Sequence, residues 1–253
     1  IVDGTTVFTG GTNIGKEYLG IRTETQWRDQ MVRVQGPACA QLQDVFAKDW
    51  HFTTKEDLFL PRYYPRTPDQ GDSVVQVLES GPDAAFHTLH QALFLAINSA
   101  EKEILLTTPY FIPSPSILTA LTVAALRGVK VKIILPRKSD APLVQQASRS
   151  FYDELMRAGV ELYEYLPRIL HAKVMIIDGK LVILGSANMD IRSFRLNFEL
   201  NLLVYGKSFA EASRDLLEVD LGQSEQLSLE KFSKRALTRQ LIENLCRLLS
   251  PMM

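Results

Sequence analysis

The chain has 253 residues, 46% of them apolar, which is enough for one or two globular domains with a buried core. Its 28 basic and 29 acidic residues leave a net charge of −1, so the chain as a whole has no positive field that would attract nucleic acid. Cys39 and Cys246 fit neither a disulfide framework nor a metal cluster, and no apolar run reaches the roughly 18 to 20 residues of a membrane-spanning helix.

The first segment, IVDGTTVFTGGTNIGKEY, contains the outline of a phosphate-binding loop after a short apolar run. In a nucleotide-binding loop the lysine is followed by Ser or Thr, whose hydroxyl binds Mg²⁺. Here Lys16 is followed by Glu17, so we expect no nucleotide at this loop. The chain also begins without Met and within a strand-turn pattern, from which we expect a fragment or a processed product.

Beyond residue 60 the chain alternates between strand-like and helical patterns. The stretch 61–73 is rich in Pro and turn-forming residues and is predicted to be a linker. Strands alternating with helices predict an α/β fold with a largely parallel sheet covered on both faces. The predicted strands are 74–79, 103–107, 129–135, 160–164, 172–177 and 198–205, and the predicted helices are 84–100, 115–127 and 141–158.

The sequence also contains two copies of one unit. Residues 176–188 match residues 1–13 at an offset of 175, and residues 199–206 match residues 29–36 at an offset of 170. The first copy therefore has five more residues between its two matching blocks. In both copies an Asp-Gly pair between apolar runs predicts a hairpin. The predicted domains are the remainder of the first unit with its linker, 1–70, and the second unit with a C-terminal amphipathic helix, 71–253.

The second copy holds a set of polar residues suited to phosphodiester chemistry. Side chains alternate along a strand, so His171 and Lys173 are predicted to face one pocket, with Asn188 joining them after the hairpin. A phosphodiester needs a group that titrates near neutrality and fixed donors for the charge that develops on its oxygens. The alternative is a polar pair on an edge strand, with Asn188 capping a helix.

These residues resemble the signature of the phospholipase D superfamily, His-x-Lys-x(4)-Asp followed by Gly-x-x-Asn, carried twice. The second copy has HAKVMIID and GSAN, and the first retains IVD and GGTN. The stretches TTPYFIPS, ILPRKSD and DIRSFRLNFELN are similar to those of the bacterial cardiolipin synthases. The resemblance implies an α/β fold of two repeated units, each with a mixed sheet flanked by helices, related by a pseudo-two-fold axis with one active site at the seam.

The resemblance also implies roles for individual residues. One family histidine attacks phosphorus to give a phosphohistidine, and the other protonates the leaving alcohol; we favour the second role for His171. Lys173 and Asn188 would hold phosphate oxygens, and Asp178 would support the site. The first copy contributes Asp3 and Asn13, and its own His-x-Lys would come from a missing N-terminal segment or another chain. Further residues expected to line the substrate pocket are Gly11, Ser186, Tyr110 and Phe111.

The implied activity is a phosphatidyltransferase that makes cardiolipin from two phosphatidylglycerols and releases glycerol, with no metal, nucleotide or other cofactor. A phospholipase D-type hydrolase, a nuclease and an inactive lipid-binding fragment are the alternatives. The implied partners are anionic phospholipid and the membrane surface, with no nucleic acid. The implied location is the bacterial cell membrane, with this chain as a soluble, membrane-associated catalytic region.

Two acidic residues at equivalent positions of the two copies suggest a further pairing. Asp29 and Glu199 coincide at the offset of 170, each at the start of a strand. A carboxylate beside a catalytic histidine selects its tautomer and stabilises the imidazolium. We therefore predict that Asp29 and Glu199 orient the two histidines, one each. The alternative is that both carboxylates lie on solvated strands.

The C-terminal segment has leucines at helical spacing, at positions 237, 241, 245 and 248, with Arg239 and Arg247 on other faces. Such a helix either lies on anionic lipid or packs its leucines on the body of the protein. The aromatic stretch 50–64, which lacks a regular pattern, is a second candidate for lipid contact. His87 and His90 have a possible metal spacing but no third ligand nearby, so we expect them to be surface or helix-packing residues.

Overall fold

The computed structural model describes residues 1–19, 26–84 and 86–249. The strands in these residues are β1 (Thr6–Gly10), β2 (Met31–Gln35), β3 (Val74–Ser80), β4 (Glu103–Thr107), β5 (Phe111–Ile112), β6 (Lys130–Pro136), β7 (Glu161–Tyr165), β8 (Val174–Ile177), β9 (Leu181–Gly185), β10 (Met189–Asp190), β11 (Glu199–Tyr205) and β12 (Ser224–Gln226). The α-helices are α1 (Ala38–Thr54), α2 (Thr88–Ser99), α3 (Pro115–Leu126), α4 (Pro142–Arg149), α5 (Tyr152–Arg157), α6 (Ile191–Arg195), α7 (Lys207–Gly222), α8 (Leu229–Ser233) and α9 (Leu237–Leu248).

An eight-stranded sheet forms the centre of the molecule, in the order β12-β7-β6-β4-β8-β9-β11-β3. Only the β4–β6 and β6–β7 pairs are parallel, and the other neighbours run antiparallel. The α/β fold with a mixed sheet is thus confirmed, whereas the expectation of a largely parallel sheet is wrong. The reason is local: the Asp178-Gly179 turn reverses the chain between β8 and β9, and β11 and β3 then add in antiparallel order.

Both faces of this sheet are buried, as the alternating residues of β8 illustrate. Met175 and Ile177 belong to one hydrophobic core, which also contains apolar residues of α2, α3 and α5. Val174 and Ile176 belong to the other core, which contains apolar residues of α1 and α7. A strand with helices on both sides is apolar at consecutive positions, which explains the uninterrupted run Val174–Ile177.

The predicted duplication is visible in the pairing of the strands. β1 pairs with β2 so that Thr6 faces Gln35 and Gly10 faces Met31. At the two offsets found in the sequence, the corresponding pairs of β9 and β11 are Leu181 with Tyr205 and Gly185 with Asn201, and both occur. The turns also agree: Asp3 and Asp178 have φ values of 49° and 53°, and each is followed by a glycine with positive φ. The two copies therefore share one backbone unit.

Three other expectations differ from the structure in detail. The helix predicted over 141–158 is divided into α4 and α5, and the one predicted over 84–100 begins at Thr88. Residues 50–54 form the last turn of α1, after which the chain is irregular up to a single 3₁₀ turn at Pro61–Tyr63. Among the described residues, no helix combines the length and apolarity needed to cross a bilayer. The domain division at residue 70 stays a prediction.

Candidate active site

His171 and Lys173 lie side by side at the end of an irregular segment that leads into β8. Both are buried, with 6% and 7% of their surfaces exposed. The Lys173 Nζ donates to the His171 carbonyl oxygen at 2.5 Å and lies 2.7 Å from the His171 Nδ1. Burial lowers the pKa of Lys173 to about 8, and the Asp29 and Glu199 carboxylates act against this shift. The pocket therefore holds an imidazole and an ammonium that remains mostly charged at neutral pH.

Asp29, from the first copy, contacts the histidine of the second copy. Its Oδ2 lies 2.7 Å from the His171 Nδ1, and the two side chains are 2% and 7% exposed. The Lys173 Nζ lies 3.8 Å from the same oxygen. A carboxylate is the strongest acceptor near Nδ1, so we assign the Nδ1–H as its donor. This tautomer leaves Nε2 as the nitrogen available for proton transfer.

The backbone around Arg28 holds Asp29 in this position. The Arg28 N–H donates to the Ile169 carbonyl at 2.9 Å, and the His171 N–H donates to the Arg28 carbonyl at 2.7 Å. The Arg28 guanidinium binds Asp220 of α7 with two contacts of 3.0 Å and donates to the Asp29 carbonyl at 2.6 Å. Burial raises the pKa of Asp220, which Arg28 counteracts. The first copy is thus fastened to the segment that carries His171.

Three aromatic side chains surround the His171 ring. The centroid of Trp27 is 4.8 Å away, and those of Tyr18 and Tyr110 are 6.1 and 6.2 Å away. The Tyr18 hydroxyl lies 2.9 Å from the His171 Nδ1 and donates to Asp29 at 3.3 Å. Burial raises the pKa of Tyr18, which keeps its phenol protonated. The site is therefore lined by aromatic side chains on this side.

Trp27 and Tyr18 did not appear among the residues predicted from sequence. Both come from the segment between β1 and β2, where the first copy is five residues longer than the second. In the sequence only the additional length of this segment indicates such a role. Five more residues can form a surface loop, but they can also bring functional side chains to the site.

Gly11 lies directly against the Asp29 side chain, which leaves no room for a side chain at position 11. A Cβ atom at Gly11 would stand 2.4 Å from the Asp29 Oδ1, so a larger residue would displace the carboxylate. Asn13 is exposed, and Asp3 lies in the exposed turn between Val2 and β1. The structure therefore brings Gly11, and not Asp3, to the Asp29 carboxylate.

Glu199 is buried at the start of β11 and does not contact His171. Its carboxylate accepts from the Ser186 hydroxyl and from the Asn197 side-chain amide, the latter at 3.0 Å. No hydrogen bond joins Glu199 to an imidazole in the described part of the chain. Both acids are buried beside polar partners, so the alternative of two solvated carboxylates is wrong. That Glu199 orients a histidine stays a prediction.

Asp178 lies at the opposite end of β8 from Lys173, about 16 Å along an extended strand. Its two carboxylate oxygens accept from the backbone N–H groups of residues 101, 102 and 103 at 2.8 to 2.9 Å. Asp178 therefore supports the backbone at this end of the sheet and does not contact His171 or Lys173.

A cavity of about 540 Å³ opens beside His171. Tyr110 lines this cavity and also lies next to the His171 ring. One wall is apolar and the other polar. The apolar wall is formed by Ile112, Ala141, Pro142, Leu143 and Val144, and the polar wall by Asn188, Asp190, Arg192 and Asn197. Within the described ranges of the chain, the Asn188 Oδ1 is buried without a hydrogen-bond partner. The residue that caps α6 is Asp190, which accepts from the Ser193 N–H at 2.6 Å, and not Asn188.

Two further predicted residues have definite positions. Phe111 is fully buried in the core, so the expectation that it lines the substrate pocket is wrong. Tyr110, which directly precedes β5, and Ile112 line the cavity, whereas Phe111 between them is turned away, because side chains alternate along an extended segment. His90 packs as expected: its Nε2 lies 2.8 Å from the Ser114 Oγ, and burial lowers its pKa.

Comparison with known proteins identifies the family of this chain. Residues 93–220 match the family model described as cardiolipin synthase, PLD-like domain. The cardiolipin synthase of Geobacillus kaustophilus is 42% identical over 257 residues, which cover 100% of this chain and 51% of that protein. The chain thus spans about half the length of the curated relatives it matches.

Two solved structures share the fold. The phosphatidylserine synthase of Haemophilus influenzae superposes with a TM-score of 0.73 over 99% of this chain and 69% of that chain, at 15% identity. Nuc from Salmonella typhimurium, a phospholipase D family member, superposes with a TM-score of 0.53 over 62% of this chain and 99% of that chain, at 26% identity. The fold therefore agrees with the resemblance drawn from the sequence.

Proposed function

Because this chain belongs to the family described as cardiolipin synthase, PLD-like domain, we propose that it carries one histidine half of the active site of a phosphatidyltransferase. The protein would convert two phosphatidylglycerols into cardiolipin and glycerol through a phosphohistidine. The observation that carries this proposal is the buried contact between the His171 Nδ1 and Asp29, with Lys173 in the same pocket.

In the first step, a histidine outside this chain attacks phosphorus, and the bond from phosphorus to the glycerol oxygen breaks. His171 gives its Nε2 proton to that oxygen, so the departing group is neutral glycerol. In the second step, His171 takes the proton from a hydroxyl of the second phosphatidylglycerol, whose oxygen then displaces the histidine from phosphorus. His171 is thereby returned to its starting form, and each step transfers one proton.

Asp29 would keep the Nδ1–H of His171 in place during both steps. When Nε2 is also protonated, the imidazolium lies 2.7 Å from the carboxylate, which stabilises its positive charge. The Lys173 ammonium supplies a second charge for the phosphate oxygens, on which negative charge increases in the transition state. Asn188 would donate to the same oxygens from the wall of the cavity.

Glu199 would perform for the attacking histidine the task that Asp29 performs for His171. It is the equivalent residue of the second copy, and it is already buried with hydrogen bonds to Ser186 and Asn197. The second histidine comes from outside these residues in this proposal, because His51, His87 and His90 contact other groups or solvent.

The proposed substrate is an anionic lipid, and the proposed location is the bacterial cell membrane. The cavity beside His171 has an apolar wall suited to acyl chains and an arginine, Arg192, on its polar wall. The balance of 28 basic and 29 acidic residues does not favour nucleic acid as the substrate.

The experiment is to incubate the intact protein with phosphatidylglycerol labelled in its terminal glycerol and to separate the products. Equal amounts of cardiolipin and free glycerol are expected. His171→Asn should lower the rate about 10³-fold, whereas the exposed His87→Asn should leave it unchanged. Phosphatidic acid as the main product would instead identify a hydrolase, and an unchanged rate in His171→Asn would contradict the proposal.

A further inference from the structure

Helix α9 carries its apolar residues on the face that points away from the protein. Leu237, Leu241, Leu245 and Leu248 are 75%, 68%, 63% and 76% exposed. A helix on the surface of a globular protein ordinarily turns such a stripe towards the core. The alternative from the sequence, in which these leucines pack on the body of the protein, is therefore wrong.

The polar face of α9 is the one that packs on the protein. Glu243 is completely buried, and its carboxylate lies 2.7 Å from the Arg235 Nε and 3.4 Å from the Arg149 Nε. Arg235 also binds Asp153 at 2.6 Å. Removing a buried charge from its partners is costly, so these ion pairs fix the rotation of α9 and keep the leucines outside.

Basic residues flank the exposed leucines. Residues 231–249 include five basic residues and a single acid, Glu243, which is the buried one. Lys231, Lys234 and Arg239 are exposed. Positive charge around an apolar centre is complementary to a surface that is negatively charged outside and apolar beneath, as an anionic bilayer is.

Helix α9 is connected to the cavity beside His171 through its neighbour α4. Helix α4 packs along α9, and its residues Pro142 and Leu143 are exposed where they form part of the apolar cavity wall. One apolar region can therefore extend from α9 over α4 to the cavity. A bilayer that contacts α9 would thus meet the wall of the proposed substrate cavity.

We propose that the outer face of α9 is a docking surface for an anionic lipid bilayer. It would insert its apolar side chains at the level of the headgroups and the first acyl carbons, with the basic residues at the phosphates. The choice of an anionic bilayer as the partner rests on the proposed function, because the membrane that α9 contacts would be the one that contains the lipid substrate. The inserted residues are Leu237, Leu241, Ile242, Leu245, Leu248 and Leu249.

The test is flotation of the 253-residue chain with vesicles of equal parts phosphatidylglycerol and phosphatidylcholine. The wild-type chain should float, and the double variant L241E/L245E should bind at least about 30-fold more weakly. The matched control is L95E/L126E, which changes two leucines of equal exposure, 66% and 72%, on α2 and α3 and should bind as the wild type does. Circular dichroism verifies that both double variants are folded.

A second measurement keeps the inference testable if glutamates disturb the helix. In L245W, vesicles containing phosphatidylglycerol should shift the tryptophan emission to shorter wavelength, because the side chain leaves water. Equal binding of the two double variants, or equal binding to pure phosphatidylcholine vesicles, would overturn the inference. A wild-type dimer that L241E/L245E converts to monomer, without flotation, would also overturn it and would identify a second copy as the occupant.

Flotation requires no turnover, so its failure can be distinguished from failure of the proposed function. With short-chain phosphatidylglycerol, which dissolves as monomers, L241E/L245E in the intact protein should retain its turnover, whereas turnover on vesicles should fall. A protein that floats through α9 but transfers no phosphatidyl group would contradict the proposed function and leave the docking surface intact.

Discussion

Replacing Asp29 with Asn removes one negative charge and preserves the size of the side chain. In the wild-type protein the Asp29 Oδ2 lies 2.7 Å from the His171 Nδ1, and neither side chain is more than 7% exposed. The amide of Asn can still accept the Nδ1–H, but it cannot balance the charge of an imidazolium. The variant therefore separates the orientation of the ring from the stabilisation of its charge.

The magnitude follows from this geometry. Two unit charges 2.7 Å apart attract by about 6 kcal/mol at an effective dielectric constant of about 20. The dipole of the new amide and the lower cost of burying a neutral group offset about half of that. A loss of about 3 kcal/mol corresponds to a decrease in kcat of about 10²-fold. KM should change little, because Asp29 contacts His171 and has no proposed contact with the substrate.

The assay is the formation of cardiolipin by the intact protein at saturating phosphatidylglycerol, with Asp69→Asn, an exposed carboxylate, as control. Thermal unfolding of both variants shows whether the fold is retained. If Asp29→Asn keeps kcat within about threefold of the wild type while remaining folded, then the charge of Asp29 does not assist His171 and the argument fails.

Three other variants test the remaining parts of the site. Glu199→Gln should lower kcat about 10²-fold without lowering the unfolding temperature, and near-normal turnover would exclude Glu199 as a positioning residue. Gly11→Ala should lower kcat at least about tenfold, because its Cβ would stand 2.4 Å from the Asp29 Oδ1; a crystal structure with an undisturbed carboxylate would contradict this reasoning. Lys173 has a pKa of about 8, so its charge is present below that pH and lost above it. KM should therefore rise between pH 7 and pH 9, and a Lys173→Met variant that keeps this rise would assign it to another group.

The paired copies could be predicted from sequence because both local turns and strand register follow from short-range patterns. The two offsets predicted which residues of β1 and β2 correspond to those of β9 and β11, and the pairing agrees residue by residue. The same offsets identified Asp29 and Glu199 as equivalent. Equivalence alone does not say which acid contacts His171, because that depends on how the copies meet at Arg28 and Leu170.

Other features depend on contacts between distant parts of the chain. The parallel or antiparallel direction of a strand depends on its neighbours in the sheet, so the alternation of strands and helices overestimated the parallel part. Tyr18 and Trp27 reach His171 from a segment that is five residues longer than its counterpart in the second copy, and no motif marks them. Phe111 is adjacent to Tyr110 in the sequence, yet the alternation of side chains along this extended segment turns Phe111 into the core.

The orientation of α9 is the clearest example. The spacing of its leucines predicts an amphipathic helix, and the helix is present. Which face packs on the protein, however, depends on Arg149 and Arg235, whose ion pairs with Glu243 hold the polar side inward. Periodicity describes one helix at a time and contains no information about these partners.

The central claim is that His171, held by Asp29, acts as the acid that releases glycerol. It is tested most directly with a phosphatidyl ester of p-nitrophenol, a leaving group that departs without a proton. In the intact protein, His171→Ala should still release about one equivalent of p-nitrophenolate in a burst, while releasing glycerol from phosphatidylglycerol about 10³-fold more slowly than the wild type. Equal loss with both substrates would contradict the claim, because it would make His171 the nucleophile or a structural residue.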